Sequence, residues 1–335
     1  MKIVRIGDPA SLDSLRVGQA DDPGRPGAGE VRVRIHASSL NYHDFGIVSG
    51  RMPSEAGRIP MADGAGVVEA VGEGVEEFAA GDHVVSTFFP LWEDGEPVIG
   101  DFSTTPGDGV DGYARELVVR PSSYFTHAPK GWSHAEAATL TTAGLTAWRA
   151  LVVNGGIKAG DTVLALGTGG VSIFAVQMAR AMGARVIATS SSDEKLKRLT
   201  EMGAEHVLNY KDTPEWGAKV RELTDGRGVD HVVEVGGPGT LPQSIDAVRI
   251  GGHIALIGVL TGGSGEVPTA KMMGKQVRLH GLIVGNRREQ RDMVRALEVM
   301  DFRPIIDRSF ALDDIADAFR HEESGRHFGK IVLEF

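Results

Sequence analysis

The run VLALGTGGVS, residues 163–172, decides how this chain is read. Four apolar residues stop at Gly167, three glycines fall within four positions, and a helix-like pattern, VSIFAVQMARAMG, follows. A strand that ends in a glycine turn and opens a helix suits a pyrophosphate. The glycines let the phosphates approach the backbone, and the helix N-terminus favours their charge. In the G-x-G-x-x-G spacing, Gly167 and Gly169 fill the first two glycine places. Thr168, Gly170 and Val171 lie between, and Ser172 stands in the third.

The sequence around this turn alternates. TVLAL, ARVIAT, HVLNY, VDHVVEVG and HIALIGVL read as strands. VSIFAVQMARAMG, SDEKLKRLTEMG, WGAKVRELTDG and LPQSIDAVRIGG read as the helices between them. Such alternation builds a parallel sheet with helices on both faces. The start of the chain reads differently. EVRVRIHASSL has the strand period, with Val31, Val33 and Ile35 on one face, and GAGVVEAVGEGVEEFAAGDHVVS is short apolar runs broken by glycine, as in a small barrel. Residues 88–112 are polar and rich in Pro and Gly, and read as a long excursion. Ser133 with Glu136 predicts a capped helix over SHAEAATLTTAGLTAWRALV. Two helices and a closing strand, GKIVLEF, end the chain.

Composition narrows the function classes. At 335 residues the chain exceeds one ordinary core, which predicts two domains. The formal net charge is −10, with no basic cluster to meet nucleic acid. No apolar segment is long enough to span a bilayer, and the N-terminus lacks a secretory pattern. Zero cysteines exclude disulfides and thiolate metal sites and suit a cytoplasmic setting.

The nucleotide preference is read about 20 residues past the first glycine, where an acidic residue holds an NAD ribose. That place falls at Ser190 and Ser191, with Lys195 one turn on to meet a 2′-phosphate. The expectation is NADP, with NAD the alternative through Asp193. The competing reading has the serines only capping a helix and Lys195 solvated.

With these motifs in place, the chain resembles the medium-chain dehydrogenase/reductase superfamily over nearly its whole length. The resemblance is carried by SLNYHDFGIVSG, DGAGVVEAVGEGVEEFAAGDHV, GTGGVS, VVEVGG, GGHIALIGV and GKIVL. It implies an α/β protein: a GroES-like β-barrel catalytic domain (residues 1–125) and a Rossmann doubly wound parallel sheet (126–285). A return to the catalytic domain (286–335) follows, with the active site in the cleft and a homodimer or homotetramer as the assembly. Zinc members of the family carry ligands where this chain has Asn41, Ala62 before Asp63, and Thr142, which are poor or impossible zinc ligands. HEESGRH does not match H-E-x-x-H, so no metal is expected.

The chain therefore resembles the zinc-free branch, which includes quinone oxidoreductases and enone reductases. The expected function is NADPH-dependent hydride transfer to a quinone, enone or other carbonyl. Alcohol oxidation is the first alternative, and a redox-sensing nucleotide binder the second. Met52 stands where many quinone reductases carry a tyrosine. The candidate proton donors or oxyanion ligands are thus Asn41, Tyr42, His43, Asp63 and Thr142. Asn41 is expected to donate to the substrate carbonyl, Tyr42 and His43 to form a relay, and Asp44 to cap a helix. The resemblance also places cofactor contacts at Tyr210, Val235, Gly236, Ile257, Gly258, Ile283, Val284 and Gly285. Arg287 and Lys330 are read as phosphate, interface or ordinary surface charges.

Overall fold

A computed structural model describes residues 1–335 as two compact units. The first comprises Met1–Leu145, Val284–Val299 and Arg303–Phe335, and the second Thr146–Ile283 with Met300–Phe302. Residues 126–145, expected with the nucleotide domain, lie in the first unit. The reason is packing. The helix His134–Ala138 presents Ala137 and Ala138 to Ala37, Ala65 and Ala128, forming a small alanine core against two strands. Ser133 and Glu136 cap this helix reciprocally. Beyond it, Leu140–Gly144 and Arg149–Val153 widen into π-type turns, so the predicted long helix is interrupted.

In the first unit one mixed sheet runs, in spatial order, Ile306–Ala311, Lys330–Glu334, Glu30–Ser39, Ala65–Val71, His83–Ser86 and Phe125–His127, and Leu117–Pro121 also pairs with Glu30–Ser39. The strand Glu30–Ser39 alternates as its sequence predicts: Val31, Val33 and Ile35 are buried with Phe78, Tyr113 and Phe125. The closing strand Lys330–Glu334 pairs antiparallel with it, Val332 opposite Ser39. Thus the C-terminus completes a sheet begun at residue 30.

The second unit holds six parallel strands. In spatial order they are His206–Asn209, Arg185–Ser190, Thr162–Leu166, Val229–Glu234, Val248–Leu256 and Arg278–Gly281. Counted along the chain this is order 3-2-1-4-5-6, the doubly wound arrangement whose ligand site lies at the carboxyl ends of the strands. One boundary shifts from expectation. The helix LPQSIDA ends at Ala247, and VRIGG already belongs to the next strand, because Val248 is drawn into the ladder beside Val229. No helix in the chain is long and apolar enough to cross a membrane.

Candidate active site and nucleotide turn

Asn41 is the N-cap of the helix Tyr42–Val48, with extended backbone angles. Asp44, at the third helical position, accepts from Asn41 N–H at 3.1 Å and so caps the helix as expected. It also accepts from Ala62 N–H at 2.9 Å. That second bond ties the helix start to the segment carrying Asp63. Just before Ala62, Met61 is fully buried at φ +80°, a conformation that L side chains rarely adopt. Its carbonyl is held by Tyr113 N–H at 2.9 Å.

Asp63 is fully buried and accepts three side-chain hydrogen bonds. Ser39 Oγ donates at 2.5 Å, Asn41 Nδ2 at 2.9 Å and Thr142 Oγ1 at 2.6 Å. The ammonium of Lys330 lies 3.8 Å from its Oδ2. Burial pushes the Asp63 carboxyl above the usual range, held back by Lys330 and the three donors. Asp44 is pushed up to about 6, by burial and then by the Asp63 charge. Glu322, on the helix Ile315–Glu323, is also buried and rises to about 8, again through burial, opposed by Lys330. Three carboxyls and one amine thus share a dry interior. Within the Asp63 hydrogen-bond set Thr142 alone is partly buried; Ser39 and Asn41 are buried.

This geometry brings together Asn41, Asp63 and Thr142 and separates the other two candidates. Both amide protons of Asn41 face carboxylates, Asp63 at 2.9 Å and Asp44 at 3.1 Å, so the expected donation to a substrate carbonyl has no free N–H behind it. Tyr42 is 47% exposed and packs edge-on against Phe45. His43 turns to the 88–112 excursion instead. Its Nε2 lies 3.1 Å from Asp108 Oδ2, and its ring meets Phe88 and Phe102. The Tyr42–His43 relay is therefore not formed. Lys330 and Arg287 are corrected likewise. Both are buried; Lys330 donates to Leu40 O and Asn41 Oδ1, and Arg287 is held by Glu77, Glu93 and Phe125 O.

Could the family's zinc fit here? Of the three positions, Asn41 offers an amide, Ala62 offers no donor and Thr142 a hydroxyl; the neighbouring Asp63 carboxylate is already taken up by Asn41 and Thr142 beside a lysine ammonium. No cluster of three His, Cys, Asp or Glu side chains suited to a metal occurs. The residues do not fit a zinc ion.

The nucleotide turn sits in the second unit. Gly167 has φ +75°, which a side chain would strain. Gly169 is the N-cap of the helix Gly170–Ala181, with φ −75°. A Cβ built on Gly169 meets no protein atom within 4 Å. The chain's own packing thus does not require glycine there, whereas an approaching pyrophosphate does. Ser172 replaces the third glycine and donates to Leu166 O at 2.6 Å, locking the helix to the strand end. The residues fit a dinucleotide.

Ser190 ends its strand, buried, with Oγ accepting from Ser192 N–H at 3.2 Å; Ser191 is half-buried. Ser192 caps the next helix through Lys195 N–H. Asp193, the residue arguing for NAD, instead accepts from Asn209 Nδ2 at 2.8 Å. Tyr210 is 42% exposed beside this strand end, its N–H donating to Ser190 O at 3.1 Å. Val235 and Gly236 follow Glu234, a residue the sequence reading passed over. Glu234 is fully buried and accepts from Gly236 N, Gly237 N, Thr240 Oγ1 and Ser244 Oγ, fixing the turn. A charged residue inside VVEVGG was the available signal. Ile257 N–H and Gly258 N–H both donate to Glu234 O. Ile283 is 49% exposed and closes the second unit; Val284 and Gly285 reopen the first, Val284 at φ +45°.

A glycine turn on an order 3-2-1-4-5-6 sheet, together with a separate barrel-like unit holding a proton network, defines a nicotinamide-dependent oxidoreductase of two domains. Residues 27–130 match the alcohol dehydrogenase GroES-like domain and residues 170–299 the zinc-binding dehydrogenase domain. A zinc-type alcohol dehydrogenase-like protein of Schizosaccharomyces pombe (strain 972 / ATCC 24843) is 40% identical, with 97% of this chain and 96% of that protein aligned. The crystal structure of an NAD-dependent alcohol dehydrogenase is 34% identical, with a TM-score of 0.89 and all of both chains covered. A quinone oxidoreductase of Pseudomonas syringae pv. tomato DC3000 is 28% identical, with a TM-score of 0.81, covering 100% of this chain and 99% of that one. The chain belongs to the medium-chain dehydrogenase/reductase superfamily and is an NAD(P)H-dependent oxidoreductase.

Proposed function

We propose that the protein is a zinc-independent, NADPH-dependent reductase of a quinone, an enone or another carbonyl or activated alkene. The observation that carries the reading is the 2.6 Å hydrogen bond from Thr142 Oγ1 to Asp63 Oδ1. It joins the hydroxyl of a partly buried residue to a fully buried carboxyl with an elevated proton affinity. The bound dinucleotide supplies the hydride. The chain must supply a proton, or stabilise charge, at the acceptor oxygen. When Asp63 is protonated the same 2.6 Å contact runs the other way, its Oδ1–H donating to Thr142 Oγ1; Thr142 then gives its hydroxyl proton to the acceptor oxygen and takes the proton of Asp63, which is left as the carboxylate accepting from Thr142. Asn41 and Ser39 stabilise the carboxylate through their hydrogen bonds, and water must return a proton before the next turnover. In this scheme Asn41 orients Asp63 and touches no substrate.

Alcohol oxidation is the same relay reversed, and the alcohol dehydrogenase names of the relatives favour testing it. Gly167 to Val171 would hold the pyrophosphate, and Ser190, Ser191 and Lys195 the 2′-phosphate. The NADP preference rests on the neutral strand end at Ser190 and on Asp193 being engaged by Asn209. A cytoplasmic homodimer or homotetramer is part of the proposal. Three of the four residues in the edge strand Arg278–Gly281 are exposed, an open edge that native sheets usually pair or cover.

The test is to follow NADPH oxidation with quinones, enones and aldehydes, before and after exhaustive chelation, with elemental analysis of the purified protein. Metal-free turnover is expected. Stoichiometric zinc with chelator-sensitive activity would refute the reading.

A further inference from the structure

The register of the closing strand places Lys330 beside Asn41. Val332 pairs with Ser39, and Leu40 N–H donates to Ile331 O at 3.0 Å. One residue further back lies Lys330, 3% exposed. Its ammonium donates to Leu40 O and, at 2.5 Å, to Asn41 Oδ1. An ammonium has only donors to offer, so the atom of Asn41 that it meets must be the amide oxygen. The NH2 group is thereby turned to Asp63 and Asp44. The flipped amide would set NH2 against the ammonium and oxygen against two carboxyls.

We propose that Lys330 is a positioning residue for the proton relay, holding Asn41 by its oxygen so that Nδ2 faces Asp63 and setting a positive charge beside that carboxylate. The inference rests on the Thr142–Asp63 reading above. The charged and titratable groups facing Lys330 come from three other segments: Asp44 beside Asn41, Asp63 after the strained Met61, and Glu322 on the helix Ile315–Glu323. His43 is turned away to Asp108. Tyr42 senses Glu322 and Arg51. Lys330 is the cation that burial leaves inside this set, and the 3.8 Å to Asp63 makes that carboxyl its nearest charged acceptor. A lysine present only to neutralise buried carboxyls would shift the Asp63 titration through its charge alone. One that also positions the relay makes turnover depend on a donor to the Asn41 amide oxygen, so Lys330→Gln and Lys330→Met must differ in turnover as well as share the titration shift.

Lys330→Met and Lys330→Gln separate the two roles. Each is assayed for the pH profile of single-turnover NADPH oxidation. Each is also titrated without cofactor by infrared spectroscopy, following the protonated-carboxyl band that Asp63→Asn abolishes. Both variants are expected to move the Asp63 transition upward by about 1 to 3 pH units, since an opposite charge within hydrogen-bonding range lowers a carboxyl by that much. Lys330→Gln, which keeps a donor for the amide oxygen, should retain more turnover than Lys330→Met. Lys330→Arg, which keeps the charge, should return the transition toward its parental pH. If the Met variant does not fold, the Gln variant decides. A folded variant whose Asp63 band titrates at the parental pH overturns the inference. Failure of the relay itself shows differently: Thr142→Val would then keep parental turnover whatever the infrared titration reports.

Discussion

Thr142→Val is the sharpest perturbation of the proposed chemistry, because valine keeps the shape and removes only the hydroxyl. Asp63 is fully buried and would fall from three side-chain donors to two, Ser39 at 2.5 Å and Asn41 at 2.9 Å. A hydrogen bond to a charged group contributes about 1.5 to 3 kcal/mol. That loss raises the Asp63 proton affinity by about one to two pH units. The catalytic effect should be larger. A positioned proton donor contributes about 10² to 10⁴ in rate, or roughly 3 to 5 kcal/mol of barrier. The assay is single-turnover NADPH oxidation by stopped-flow absorbance, with the NADPH dissociation constant measured in parallel by fluorescence. Turnover should fall by about 10² or more while NADPH affinity holds, because the glycine turn proposed to hold the dinucleotide belongs to the other unit. Thr142→Ser, which restores a hydroxyl, should recover most of the rate. A Thr142→Val protein with parental single-turnover rate would refute the reasoning, since no hydroxyl would remain to pass the proton.

Other outcomes follow from the same structure. Gly169→Val should abolish dinucleotide binding with little change in melting temperature, because its Cβ meets no protein atom within 4 Å; normal NADPH binding would move the phosphate site elsewhere. Ser190→Asp retains an acceptor for Ser192 N–H and adds a charge, so it should reverse the preference from NADPH to NADH, whereas Lys195→Ala should weaken NADPH selectively by about 1 to 3 kcal/mol. Equal dissociation constants for both cofactors in the parent protein would dispose of the NADP assignment. Glu322 keeps its proton in the folded chain to about 8, against an ordinary value of 4.5, so it lowers stability progressively as pH rises through that window. Glu322→Gln should therefore match the parent at pH values below the window and exceed it at the top by up to about 4 kcal/mol, read from urea unfolding at both ends.

The sequence by itself determined the local part of this protein. Strand period, glycine turns and helix caps depend on residues a few positions apart, so VLALGTGGVS and the alternation after it were legible as a nucleotide-binding sheet. The Ser133–Glu136 cap and the buried face Val31, Val33 and Ile35 were legible for the same reason. The boundary near residue 125 was not, because the helix after Ser133 is assigned by the alanines it packs on, drawn from residues 37, 65 and 128. Resemblance brought Asn41, Tyr42, His43, Asp63 and Thr142 forward as one group, but not which of them meet or what each does. Only the tertiary structure placed Lys330 under Asn41, Glu322 in the same interior and Asp108 beside His43. These pairings close loops of tens to hundreds of residues, and nothing in the local pattern of GKIVLEF or HEESGRH distinguishes a buried lysine or glutamate from a solvated one. Burial itself gives these groups their chemistry. A carboxyl is an ordinary surface acid in water and a proton store once water is removed, and the fold alone decides which side chains lose it.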